Sequence, residues 1–122
     1  MKTSVSFPPP ILNPNTRKHW AQVAKAKKAY RREAHLSALA DGIRAMTGVT
    51  SCNVRITFTA PDKRARDRDN MIAAFKAGQD GIADAIGIDD ALWVPSYHVN
   101  RAVAPGKVEV EFLSFSRGRG VE

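Results

Sequence analysis

Two long stretches with helical spacing are interleaved with four short strand-like stretches, in three of which apolar and polar residues take turns, and that order most constrains how the chain can fold. Residues 53–59, Asn-Val-Arg-Ile-Thr-Phe-Thr, put Val54, Ile56 and Phe58 on one face, the signature of a half-buried strand. Val108, Val110 and Phe112 do the same between Lys107, Glu109 and Glu111, predicting a strand over 107–115. Thr3, Val5 and Phe7 open the chain as a short strand that three prolines terminate. A further strand is expected over 93–103, joined to the last by a hairpin turn at Ala104-Pro105-Gly106.

Between these strands, residues 20–46 contain no proline and are rich in Ala, Lys, Arg and Leu, which predicts a long helix. Val23, Ala26 and Tyr30 mark its apolar side. Leu36, Leu39, Ala40 and Ile43 lie on a rotated face, so a bend, a break near Asp41-Gly42 or a partner surface is expected there. Ile72, Phe75, Ile82 and Ile86 form one stripe of a second helix, which Gly78 and Gly81 weaken and Gly87 ends. The predicted order is β-α-β-α-β-β, an α/β two-layer sandwich with a small mixed sheet and two helices. Residues 1–116 form one domain in this reading, and 117–122 a disordered basic tail.

Charge narrows the function. The 122 residues carry a formal +7, distributed unevenly: residues 1–60 hold +8, residues 61–92 hold −2 and the remainder +1. A basic exterior implies a polyanionic partner, most simply nucleic acid, whose condensed counterions Lys and Arg displace. Lys25, Lys28 and Arg32, with Lys27 and Arg31 beside them, make one side of the first helix cationic, and Lys63, Arg64, Arg66 and Arg68 form a basic loop before the second. One cysteine, Cys52, excludes an internal disulfide, and no Cys/His spacing suits zinc. With no signal-peptide core and no stretch of membrane-spanning length, a cytoplasmic protein with no membrane association is expected. Trp20, Tyr30, Phe75 and Trp93 read as core residues, and His19, His35 and His98 as surface or packing residues.

Seven of the twelve acids fall between Asp62 and Asp90. Asp67 and Asp69 stand two apart at the start of the second helix, where Asp69 can serve as N-cap, and Lys76 and Asp80 return to the same side. Asp89 and Asp90 follow the glycine stop. Each group alone reads as a cap or a solvated turn, but carboxylates gathered without nitrogen or sulfur ligands suit Mg²⁺ or Mn²⁺, with a nearby lysine steadying charge on a phosphate.

The segments Arg66-Asp67-Arg68-Asp69-Asn70 and Gly87-Ile88-Asp89-Asp90, with the early strand and its proline-rich end, resemble the RusA-type Holliday-junction resolvases, small endonucleases of DNA recombination and repair often carried by phages. The resemblance covers most of the chain. It implies a RusA-like fold and a homodimer that resolves four-way DNA junctions by paired symmetric nicks, in a bacterial or phage-infected cell. It also implies Mg²⁺ held by Asp67, Asp69 and Asp90, with Asp89 as a supporting acid and Lys76 as the functional lysine. The family lysine lies one helical turn after the second aspartate, where this chain has Ala73, while Lys76 lies two turns after it. Two other readings compete: a non-catalytic nucleic-acid-binding module whose acids are caps, and a basic assembly protein with an acidic protein partner.

Overall fold

The computed structural model describes residues 1–15 and 19–118. Its elements are β1 (Lys2–Val5), α1 (Trp20–Ala40), β2 (Val49–Thr59), α2 (Arg68–Ile86), β3 (Trp93–Val99) and β4 (Lys107–Arg117), with 3₁₀ turns at Pro10–Leu12 and Asp90–Leu92. The strands form one mixed sheet in the order β1-β4-β2-β3. Cys52, Val54, Ile56 and Phe58 of β2 and Val108, Val110 and Phe112 of β4 turn one face of that sheet into the core, where Tyr30, Phe75, Ile82 and Ile86 of the helices cover it. Arg55 and Glu111 pair across the opposite face, as do Lys2 and Glu109. Over the described residues the chain is therefore a small α/β protein with two α-helices and a four-stranded mixed sheet.

The first helix ends where a break was expected. Gly42 takes a left-handed φ of 92°, the Gly42 N–H donates to the Leu39 carbonyl at 3.1 Å, and the Ile43 N–H reaches the Ala38 carbonyl at 3.0 Å. This paired closure satisfies the last carbonyls and tucks Ile43 into the core. The apolar stripe of α1 runs from Tyr30 through Ala34 to Ala38, all buried, while Leu36 and Leu39 face solvent. Trp20 also departs from expectation. As the first residue of the helix its ring projects past the core, is 75% exposed and stacks on His19.

In α2 the glycines serve packing. A Cβ at Gly81 would stand 2.1 Å from the Arg31 carbonyl oxygen of α1, and one at Gly78 would stand 2.7 Å from the Tyr30 ring. The two helices approach this closely only because both positions lack a side chain. Gly87 closes α2 with a left-handed φ of 71°, as its spacing predicted.

The hairpin between the last two strands does not form. β3 runs parallel to β2, and β4 runs antiparallel to β2 on its other side. The helical crossover from β2 through α2 delivers β3 beside β2 in the same direction. To reach the free edge, residues 100–106 pass over the end of β2. The Asn100 N–H donates to the Phe58 carbonyl at 2.8 Å and the Val103 N–H to that of Ala60 at 2.9 Å. This bridging shortens β3 to Val99. At the other end β4 continues through Arg117, which the sequence had assigned to a tail, and residues 119–122 of that assignment lie outside the described residues.

Candidate functional site

The candidate residues are distributed along α2 and the two loops that flank it. Asp62 organises the loop leaving β2: its carboxylate accepts the Arg64 N–H at 3.0 Å and pairs with Arg66 at 3.0 Å. That backbone N–H, with the Arg66 guanidinium, holds its carboxyl below the usual range. Arg66 also donates to the Asp62 and Arg64 carbonyls and lies 5.3 Å from the Phe7 ring centroid. It is a strut of the loop, whereas Lys63 and Arg64 project into solvent.

Asp67, rather than Asp69, is the helix N-cap. Its Oδ1 accepts the Asp69 N–H at 2.9 Å, which leaves Asp69 in the first turn, where the helix dipole favours a negative charge. Both carboxylates are exposed. Arg68 turns from them to the sheet, donating to the Tyr97 carbonyl at 2.6 Å.

A second cluster forms farther along the helix. Lys76 donates to Asp80 at 2.8 Å and pairs closely with Asp90, whose Oδ2 also accepts from Gln79 Nε2 at 3.1 Å. The Lys76 hydrogen bond, ahead of partial burial, holds the Asp90 carboxyl below its ordinary value. Partial burial pulls the ammonium of Lys76 down, but the bonds to Asp80 and Asp90 together outweigh it and hold the group above its ordinary value. Asp89 caps the turn that carries Asp90, accepting the Ala91 N–H at 2.9 Å. Arg31 of α1 grips Asp84 through two hydrogen bonds of 2.8 and 2.9 Å, which hold that carboxyl low.

The fold thus joins Lys76 to Asp80 and Asp90, and Asp69 to Asp67 through its backbone N–H. Lys76 stands seven positions after Asp69 on α2, about 10 Å of helical rise. Among the described residues no three His, Cys, Asp or Glu side chains gather in a way that could hold a metal ion. Asp67 and Asp69 remain a pair of exposed oxygen donors, and Mg²⁺ often uses one or two carboxylates together with substrate phosphates and water.

The two parts of the Lys76 cluster differ in how visible they were. Asp80 is signalled by its spacing of four from Lys76, while Gln79 carries no signal beyond lying one residue before it. The Arg31–Asp84 clasp joins residues 53 apart and has no local signature. Of the predicted cationic face, Lys25 and Arg32 point into solvent, while Lys28 lines a cleft between the helices with Lys27 and Arg31. No helix among the described residues is long and apolar enough to cross a membrane.

Against known proteins, a scan of protein-family models finds none that matches. A protein of Xylella fastidiosa (strain Temecula1), described as an uncharacterized protein, is 38% identical to this chain over 93 residues. The match covers 75% of this chain and 61% of that relative, so the chain spans about three-fifths of the relative's length.

Proposed function

We propose that the chain is a RusA-like, divalent-cation-dependent endonuclease that acts on branched DNA as a homodimer. The observation that carries this reading is the exposed Asp67 and Asp69 pair at the start of α2, flanked by Lys63 and Arg64. Carboxylates repel a phosphate backbone, so an acidic pair within a cationic loop has a use when a hard cation reverses the local sign. Asp67 and Asp69 would hold Mg²⁺ or Mn²⁺, which supplies Lewis-acid polarisation of a phosphodiester. Lys63 and Arg64 hold the flanking backbone. Lys76, kept protonated by Asp80 and Asp90, supplies positive charge farther along the same helix. Two strands must be cut to resolve a four-way junction, and a two-fold dimer provides one acidic pair for each.

The experiment is incubation of the protein with a labelled four-way junction and a matched linear duplex, in Mg²⁺ and in EDTA, resolved on a denaturing gel. Symmetric nicks confined to the junction in Mg²⁺, lost in Asp69→Asn, are expected. A specific observation favours a second reading. Asp67 is accounted for as an N-cap and Asp90 as half of an ion pair, which suits a non-catalytic nucleic-acid-binding module. Binding without product in either buffer would overturn the endonuclease and leave that module.

A further inference from the structure

The two helices enclose a groove away from the Asp67 and Asp69 pair. Lys27, Lys28 and Arg31 of α1 wall one side, Lys76 of α2 stands opposite with Asp80, the one acid of the lining, and Leu12, Ala73, Ala74 and Ala77 complete it. The cations are unequally engaged. Arg31 is clasped to Asp84 and Lys76 to Asp80 and Asp90, whereas among the described residues neither Lys27 nor Lys28 makes an ion pair. Lys27 and Lys28 stand four and three residues before Arg31, and Lys28 four before Arg32, so like charges meet on neighbouring turns. Each such pair destabilises an isolated helix by a few tenths of a kcal/mol. Asp84 offsets the charge of Arg31, but among the described residues no carboxylate pairs with Lys27 or Lys28.

We propose that this groove holds the phosphodiester backbone of DNA, with Lys27 and Lys28 as its phosphate contacts. Four cations outnumber the one lining carboxylate, Asp80, which Lys76 already holds, and the floor is made of the short side chains of Ala73, Ala74 and Ala77. Such a lining offers a protein partner no deep pocket for a large anchor residue, while a backbone of regularly spaced charges needs only cations along its path. The groove rests on the reading that the chain works on DNA, and it extends the contact surface beyond the loop around Asp67. It assigns Lys27 and Lys28 a role distinct from that of Lys25 and Arg32 on the outer side of the same helix.

The test is fluorescence anisotropy of a labelled linear duplex in EDTA, across a series of KCl concentrations. It compares wild type with Lys27→Gln/Lys28→Gln and with Lys25→Gln/Arg32→Gln, each removing two exposed charges, and thermal melting checks that all three fold. Losing two phosphate contacts lowers the slope of log K against log salt by about 1.8. That fall is expected for the groove variant alone. Equal falls in both variants, or none in the groove variant, would overturn the groove. Because no metal is present, the result is independent of cutting. A fall with no junction nicking retains the groove and removes the endonuclease, and nicking with an unchanged slope does the reverse.

Discussion

Arg68 Nη2 donates to the Tyr97 carbonyl oxygen at 2.6 Å, and its guanidinium lies 6.0 Å from the Tyr97 ring centroid. The side chain thereby fastens the start of α2 to β3, the edge strand of the sheet. An exposed edge with unpaired carbonyls is a template for strand addition, and Pro95 within β3 already removes one donor. The predicted nucleic-acid contact at Arg68 thus has a structural employment in the free protein.

Replacing Arg68 by Ala should leave the helices intact and free the edge. The expected loss is about 1 kcal/mol in urea denaturation, for one charged hydrogen bond at an exposed site. Concentration-dependent association in sedimentation velocity should accompany it. A variant as stable and as monodisperse as wild type would show that the contact contributes nothing.

Gly81→Ala should be far more damaging than Gly78→Ala. The new Cβ at position 81 meets the Arg31 backbone, which moves only with the helix, while at 78 it meets the rings of Tyr30 and Phe75, which can shift. Overpacking of this kind costs about 1–3 kcal/mol, against a gain of about 1 kcal/mol in helix propensity common to both changes. Denaturation midpoints of the two variants decide it, and equal midpoints would contradict the close helix contact.

Asp67 allows capping and chemistry to be separated. Asn caps a helix as well as Asp does, so Asp67→Asn should retain stability, while Asp67→Ala should lose about 1 kcal/mol. Under the proposed endonuclease both changes end cutting, because both remove the carboxylate charge. Cutting by Asp67→Asn at the wild-type rate would reduce Asp67 to a cap.

Acid should weaken the fold through Asp84 and Asp90. Both are held below the ordinary carboxylate range, Asp84 by Arg31 and Asp90 by Lys76. Their stabilisation is fully present above the unfolded carboxylate value of about 3.9 and is lost as pH falls through the lower folded values. Urea midpoints should be flat from neutral pH to about 5 and decline below about 4. Arg31→Met should make that decline shallower, and an unchanged profile would mean that the clasp does not survive in solution.

These interactions show what could be read from the sequence. The strand at Val54, Ile56 and Phe58 and the glycine stops at Gly42 and Gly87 were legible, because each depends on spacing within a few residues or on one permissive backbone angle. The partner of β3 was not legible. A tight turn at Ala104-Pro105-Gly106 is compatible with a hairpin or with a strap across the end of β2, and the crossover through α2 decides between them. Asp67 and Asp69 were visible as a pair, but the bonds of Asp90 to Lys76 and Gln79 were not, because they follow from where along α2 the Asp90 turn folds back. Trp20 was misjudged because composition cannot tell a core aromatic from one at a helix end.

The strand order also affects how the chain is made. β1 pairs with β4, joining residues 2–5 to residues 108–111. During synthesis β1 must wait, unpaired, until almost the whole domain has left the ribosome. Until then β2 has an open flank where β4 will lie, and the apolar row of Val54, Ile56 and Phe58 depends on the two helices for cover. A chain exposed only as far as residue 106 would therefore have both helices free to form and its sheet open down the middle, the form of this protein most in need of a chaperone.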